Sequence, residues 1–126
     1  MPWDIQTDRP IYIQLMEQIQ LKICSGIYPP GSRLPSVRDL AQEASVNPNT
    51  MQRALAELEA AGLLYTNRTS GRFVTEDTEM IVHVKNKLAE KHVKDFLKKM
   101  TELGFNSDEV MSIISDIVET EEMKYE

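Results

Sequence analysis

The fold is decided by residues 35–74, which read PSVRDLAQEASVNPNTMQRALAELEAAGLLYTNRTSGRFV. Ser36 is a favourable N-cap residue for a first short helix. Asn47 and Pro48 cap and open a second helix, because a proline in the first turn loses no hydrogen bond that a helix needs. Gly62 ends this second helix, and the remaining residues read as two short strands around a polar turn. The order is therefore helix, tight turn, helix and β-hairpin.

A further amphipathic segment precedes this stretch. Pro10 suits the first turn of a helix, and apolar residues recur at spacings of three and four until Gly26, which predicts a helix over residues 10–25. Three helices followed by a hairpin form the winged helix-turn-helix order, in which the third helix, here residues 48–61, presents polar side chains to a DNA major groove. The same pattern is compatible with a small helical core whose polar face meets only water. The pattern alone leaves both interpretations open.

Residues 77–126 differ in composition from the rest of the chain. They contain no proline, and all their cations are lysine, whereas the cations of the hairpin and of the two helices before it are all arginine. Helical spacing predicts one long helix over residues 78–103 and another over residues 107–120, with fraying over residues 119–126. The chain is thus expected to be mainly α with a small β-hairpin.

The two C-terminal helices cannot enclose their own apolar residues. Leaving large apolar side chains in water costs about 1.5–3 kcal/mol each, so a second copy of the chain is expected to cover them. The predicted interface residues are Ile81, Val84, Leu88, Phe96, Ile113, Ile114 and Ile117. The sequence therefore divides into a winged helix-turn-helix domain at residues 1–76 and a helical dimerisation domain at residues 77–126.

Composition excludes several classes of protein. The 14 Lys and Arg against 20 Asp and Glu give a net charge of −6, so DNA binding would need specific contacts rather than a general basic surface. His83 and His92 point to opposite sides of their helix, and the sequence has neither a nucleophile elbow nor a glycine-rich phosphate loop. No catalytic residue, metal site or cofactor is expected. A single cysteine, no export signal and no long apolar stretch indicate a cytoplasmic chain without a membrane partner.

One block is more specific than the pattern. Residues 29–41, PPGSRLPSVRDLA, with PIYIQ before them and RAL, GLL and GRFV after them, closely resemble the GntR family of bacterial transcription factors. The resemblance covers about residues 8–76, and the short remainder resembles the YtrA-type subfamily. It implies a sequence-specific regulator that binds double-stranded DNA, and it suggests transporter genes as targets and an unidentified small-molecule effector. A two-fold dimer would then require an inverted-repeat operator, and a repressor would act by blocking polymerase access.

The resemblance assigns DNA contacts to the two helices. Arg38 is the arginine that reaches the DNA, although its guanidinium could instead pair with Asp39 or Glu43. Arg53 lies on the polar side of the next helix, where an ion pair with Glu57 is the equal alternative. The other assigned positions are Ser36, Asn47, Asn49, Thr50 and Gln52. Asparagine and glutamine amides suit adenine edges, so some A·T readout is expected.

The hairpin is assigned to the DNA backbone or minor groove. Gly71 allows close backbone approach there, and Arg68 and Arg72 supply charge, the alternative being a solvated turn. Pro48 stands where many family members carry arginine, so the operator sequence does not follow from the resemblance. The acidic net charge also supports a second hypothesis, a winged-helix protein-interaction module that does not bind DNA.

Overall fold

The computed structural model describes residues 3–125 of the 126-residue chain, with side chains up to residue 122. These residues form five helices and one antiparallel hairpin, in the order that the sequence predicts. The elements are α1 (Ile11–Cys24), α2 (Val37–Ala44), α3 (Pro48–Ala60), β1 (Leu64–Asn67), β2 (Gly71–Val74), α4 (Thr78–Glu102) and α5 (Ser107–Tyr125). The expected mainly α fold with a small hairpin is confirmed. The chain divides into two compact units between Lys85 and Asn86.

The core of the first unit lies around α3, which packs against both α1 and α2. Removing its apolar side chains from water is the main favourable term that holds these helices together. The buried residues are Leu15, Ile19, Ile23, Leu34, Leu40, Ala41, Ala44, Met51, Ala54, Leu55, Leu58, Leu63, Leu64, Val74 and Ile81. Because the buried residues of α3 all lie on one side of the helix, its polar side remains outside the core.

The connection between α2 and α3 has the capping pattern that the sequence predicts. Ser36 Oγ accepts a hydrogen bond from the backbone N–H of Asp39 at 3.1 Å. Asn47 Oδ1 accepts one from the N–H of Asn49 at 2.8 Å. Ser45 ends α2 in the left-handed region, with φ +56°. These caps satisfy backbone groups that each helix end would otherwise leave without partners, and so they fix the angle at which α3 leaves the turn.

The hairpin is longer than expected and has a third neighbour. Its strands pair from Leu64↔Val74 to Asn67↔Gly71, so part of the predicted polar turn is strand. The segment before α2 pairs with the outer edge of β2, because Leu34 N–H donates to Arg72 O at 2.9 Å. On the same edge, Val74 N–H donates to Ser32 O, also at 2.9 Å. The proline-rich turn therefore ties the base of the hairpin to the start of α2.

An N-terminal arm lies along α1. The buried Gln14 side chain donates from Nε2 to the backbone oxygens of Gln6 at 2.8 Å and Arg9 at 3.0 Å. Lys22 is also buried, and its Nζ lies 3.6 Å from the ring centroid of Trp3. Burial lowers the pKa of the Lys22 ammonium, while the ring face offers it a cation–π contact. These contacts fix the arm without using a residue of the predicted DNA surface.

The second unit begins within α4 and includes α5. The start of α5 is a capping box: Asn106 Oδ1 accepts from the N–H of Glu109 at 2.9 Å, and Glu109 Oε1 accepts from the N–H of Asn106 at 3.0 Å. The predicted fraying from residue 119 is wrong for the described backbone, because α5 continues to Tyr125. Glu126, the last residue of that prediction, lies outside the described residues.

Two of the predicted interface residues belong to the first unit instead. Ile81 is only 8% exposed and is part of that unit's core, and Val84 packs against the same core. A side chain that its own chain already covers has little surface left for a partner. The place of Ile81 and Val84 in a dimer interface stays a prediction, and the chain itself already covers most of their surface.

Candidate nucleic-acid interface

The polar side of α3 is open to solvent. Asn49, Gln52 and Arg53 are exposed and Thr50 is half-buried. Asn47 is exposed as well, although its Oδ1 is engaged in capping α3. A helix with its side chains is about 10–12 Å across, close to the roughly 12 Å width of the DNA major groove. The structure thus brings all five of these predicted positions to one accessible helix end and face.

Arg38 lies in the first turn of α2 with an exposed side chain. Ser36, which caps the same helix, is exposed too. Among the described side chains, the ion pairs join other residues, and neither Asp39 nor Glu43 pairs with Arg38. The intramolecular alternative that the sequence left open is therefore not adopted. The guanidinium keeps its planar set of donors for a guanine edge or a phosphate.

Arg53 has a partner that sequence spacing did not indicate. Its guanidinium carbon lies 3.6 Å from the ring centroid of Tyr12, on α1. The alternative pair with Glu57 is not among the ion pairs of the described residues. Stacking over an aromatic face leaves the edge of a guanidinium, where its N–H groups point outward, available for hydrogen bonds. Tyr12 therefore holds Arg53 in place without consuming its donors.

We expect Tyr12→Leu to weaken DNA binding and Tyr12→Phe to preserve it. A cation–π contact of about 0.5–2 kcal/mol corresponds to a roughly 2- to 30-fold effect if Arg53 must be held in place to bind. Leucine keeps apolar bulk against α1 but removes the ring, whereas phenylalanine retains the ring. The measurement is fluorescence anisotropy with a duplex that the wild-type protein has selected from a random pool. Full affinity for Tyr12→Leu would show that the stacking has no role in binding.

The three predicted hairpin residues differ in their surroundings. Arg68 is exposed at the tip. Gly71 has φ +108°, a conformation that a residue with a Cβ rarely adopts. Arg72 is turned inward, with a side chain only 15% exposed and Nη2 3.5 Å from Glu59 Oε2 of α3. In the isolated chain, Arg68 is therefore freely accessible, whereas Arg72 is held against α3.

Arg33 is a candidate that the sequence reasoning missed. A Cβ built on Gly71 would lie 3.2 Å from Arg33 Nε, so the guanidine group packs directly on the glycine backbone. Arg33 and Arg72 line a cleft of about 300 Å³. Its other lining residues are Leu34, Pro35, Ser36, Val37, Gln52, Thr66 and Gly71. The sequence could have drawn attention to Arg33 because it lies three residues before Ser36, a predicted contact residue. Its contact with Gly71 joins distant segments, however, and such a contact leaves no local sequence pattern.

Other kinds of site find no support in the described part of the chain. Its His, Cys, Asp and Glu side chains form no group of three or more that could hold a metal ion. None of its helices combines the length and hydropathy needed to cross a bilayer. The polar groups that do converge lie on α2, α3 and the hairpin.

Comparison with known sequences gives matches over most of the chain. Residues 11–74 match the family model described as "Bacterial regulatory proteins, gntR family". The HTH-type transcriptional regulator YhcF of Bacillus subtilis is 38% identical over 114 residues, which cover 90% of this chain and 94% of that protein. The HTH-type transcriptional repressor YtrA of the same organism is 36% identical over 97 residues, covering 77% of this chain and 72% of the repressor.

Solved structures show the same likeness. A GntR family transcriptional regulator from Listeria monocytogenes superposes with a TM-score of 0.84 at 37% identity, covering 89% of this chain and 98% of that one. The DNA-binding domain of AraR in complex with operator ORX1 superposes with a TM-score of 0.52 at 27% identity, covering 60% of this chain and 99% of that domain.

Proposed function

Since the chain belongs to the GntR family and is a DNA-binding transcriptional regulator rather than an enzyme, we propose that it is a homodimeric repressor that binds an inverted-repeat operator. The main support for sequence-specific DNA binding is that the polar side of α3 is exposed and that Arg38 of α2 is exposed without an ion pair among the described residues. The similar YtrA protein is a transcriptional repressor, which supports repression rather than activation for this chain. We propose transporter genes as targets because of the subfamily resemblance, and a cytoplasmic location because a bacterial regulator meets its DNA there.

The proposed contacts follow from the chemistry of the exposed groups. Asn49 and Gln52 carry amides that can both donate to and accept from an adenine edge. Arg38 can form two hydrogen bonds to a guanine or bind a phosphate. Arg68, at the tip of the hairpin, is placed to meet the neighbouring backbone or minor groove. The proposed surface is completed by Ser36, Asn47, Thr50, Arg53, Gly71 and Arg72.

The second unit supports a dimer because it leaves so much apolar surface open. Between 36% and 71% of each exposed large apolar side chain there is accessible: Val93, Phe96, Leu97, Leu103, Phe105, Met111, Ile117 and Val118. Val110 is the one buried side chain of this unit within the described residues. So many exposed apolar side chains in one small unit are typical of an interaction site, and we propose a second copy of the chain as the partner that covers them.

Dimerisation would set the geometry of the operator. Two copies related by a two-fold axis present two α3 helices, which read half-sites about one helical turn of DNA apart. We therefore keep residues 1–76 as the proposed DNA-binding domain and residues 77–126 as the proposed dimerisation domain, with Leu88, Phe96, Ile113, Ile114 and Ile117 retained at the interface. For a small-molecule effector, which the subfamily resemblance suggests, we propose a pocket between the protomers, because two helices alone offer little room for an enclosed one.

Selection from a random duplex pool is expected to recover a palindrome with half-sites about one helical turn apart. Binding should also weaken steeply with salt, because a protein that neutralises about 6–10 phosphates loses roughly 10³–10⁵ in affinity between 50 and 200 mM salt. The measurements are sequencing of the selected pool and a salt titration of the strongest binder. An asymmetric motif would contradict the dimeric operator. Failure to retain any duplex would favour the protein-interaction module.

A further inference from the structure

We propose that the cleft lined by Arg33 and Arg72 holds one phosphate of the bound duplex, and that Glu59 competes with this phosphate for Arg72 in the free protein. The inference rests on the proposed DNA binding and deepens it. It assigns a ligand to a site that the recognition surface on α3 does not include, and it identifies an acidic residue that weakens binding. Neither role follows from the sequence pattern.

The cleft has the composition of an anion site. Its lining contains two guanidinium groups and no carboxylate. Of the remaining polar members, Ser36 offers a hydroxyl donor and Gln52 an amide donor, whereas the hydroxyl of Thr66 already donates to Glu59. Arg33 is exposed and Arg72 is mostly buried, so one cation faces the entrance while the other lies in the wall. Two positive groups facing the same small volume attract an anion and disfavour a second cation.

Arg72 is poorly satisfied in the isolated chain. Its only ion pair among the described residues is the 3.5 Å contact with Glu59, whereas a strong guanidinium–carboxylate hydrogen bond is about 2.7–2.9 Å long. Its Nε is buried and has no hydrogen-bond partner in the described structure. A guanidinium carries five N–H donors, so this pairing leaves most of its capacity unused. An additional acceptor in the cleft would satisfy groups that the protein itself leaves unpaired.

Glu59 is held independently of Arg72. Its Oε1 accepts a hydrogen bond from the hydroxyl of Thr66 on β1, while Oε2 faces Arg72. Glu59 therefore keeps a partner when Arg72 turns toward another anion. Because Glu59 Oε1 stays bonded to Thr66, replacing Glu59 by a phosphate as the partner of Arg72 requires only the Arg72 side chain to move.

The position of the cleft identifies the anion. It is bounded by the start of α2, by Gln52 on α3 and by the hairpin, and these are the three elements proposed to meet the duplex. Gly71 leaves room there, since a side chain at that position would press on Arg33. A phosphodiester carries one negative charge and two free oxygens, which match two guanidinium groups better than a neutral base edge does. We therefore assign a backbone phosphate to the cleft.

The main test is Glu59→Gln, because glutamine can still accept from Thr66 but no longer carries the charge that holds Arg72. We expect about 1.5- to 5-fold tighter binding of the selected duplex at physiological salt, the size of effect typical of a surface charge interaction. The matched control is Glu17→Gln, which makes the same change in net charge and removes the carboxylate paired with Arg9 at 2.9 Å, outside the cleft. That control should leave affinity nearly unchanged.

Two cation variants identify the site. Arg33→Gln and Arg72→Met should weaken binding and each reduce the slope of log K against log salt by about 0.9, the value for one phosphate contact. Methionine keeps the apolar stem of Arg72, and a thermal melt followed by circular dichroism confirms that each variant is folded. Glu59→Gln should have no effect in the Arg72→Met background. A further measurement replaces one phosphate of the duplex at a time with a neutral methylphosphonate. One such replacement should weaken binding by the wild-type protein but not by Arg33→Gln.

The outcomes separate this inference from the proposed function. If the wild-type protein binds no duplex, the proposed function fails and this inference fails with it. If the wild-type protein binds but Glu59→Gln and Glu17→Gln behave alike, the competition between Glu59 and the phosphate is refuted. Unchanged salt slopes for both arginine variants would refute the phosphate site while leaving DNA recognition by α3 intact.

Discussion

Phe96→Asp is expected to produce a monomer at micromolar concentration and to remove tight binding to the inverted-repeat operator. Phe96 is 38% exposed and lies on the apolar surface of the second unit. A charge placed at an apolar interface must lose its hydration without gaining a partner, which disfavours association. A monomer also loses the effective concentration that links its two reading helices, an advantage of about 10²–10⁴ in affinity.

Sedimentation velocity measures the oligomeric state, and anisotropy compares a full operator with a single half-site. Ser112→Asp is the matched control, because it introduces the same charge at an exposed position on the side of α5 opposite Val110. It should remain dimeric. Phe96→Asp should still bind a half-site weakly, since the first unit is unchanged. A Phe96→Asp protein that sediments as a dimer would contradict the proposed interface.

Arg38→Ala is expected to weaken operator binding by roughly 1–3 kcal/mol, or about 5- to 150-fold, if the guanidinium makes two hydrogen bonds to a base. The side chain is exposed and has no ion pair within the described structure, so its removal should change little else. Arg38→Lys discriminates between the two kinds of contact. Lysine keeps the charge but lacks the planar fork, so it should rescue a phosphate contact and rescue a guanine contact poorly.

The measurement for Arg38 is a gel shift on the selected operator and on a scrambled duplex. Arg9→Ala removes the same charge from a residue outside the proposed surface and serves as the control. Loss of affinity on the operator alone would identify base reading, and loss on both duplexes would identify phosphate binding. Equal operator affinity for Arg38→Ala and wild type would exclude Arg38 from the interface.

Local features of the fold could be predicted because short-range chemistry determines them. The caps at Ser36 and Asn47 depend on a side chain and a backbone group only two or three residues away. The side of α3 that faces the core follows from helical periodicity. The PPGSRLPSVRDLA block at residues 29–41 then identified the family, which the comparisons confirm.

The interface along α4 was harder to predict because one run of helical spacing contains two faces. Ile81, Val84 and Leu88 follow spacings of three and four, but the next large apolar residue of α4, Val93, comes five residues later. Five residues turn a helix by about 140°, so the stripe moves to another side. Ile81, at the start of the run, is buried in the first unit, whereas Phe96, beyond the step, is exposed. Periodicity alone does not show which side the chain itself covers.

Contacts between distant segments also escaped the sequence. The stacking of Arg53 on Tyr12 joins α3 to α1, and the pairing of Arg72 with Glu59 joins the hairpin to α3. The sequence offered an ion pair with Glu57 as the alternative for Arg53 and a solvated turn as the alternative for Arg72, because spacing within an element says nothing about a neighbour from another element. The hydrogen bonds between residues 31–34 and β2 could not be predicted for the same reason, since they also join separate elements. Long-range pairing therefore determines which predicted arginines are accessible.

The pairing of residues 31–34 with β2 has a consequence for solubility. A two-stranded hairpin normally presents an open edge whose backbone groups can recruit a strand from another molecule and begin aggregation. Here the amide of Gly31 donates to Val74 O at 3.0 Å, and its neighbours occupy the rest of that edge. The outer edge of β2 is therefore closed to strands of other molecules, even where the protein is concentrated.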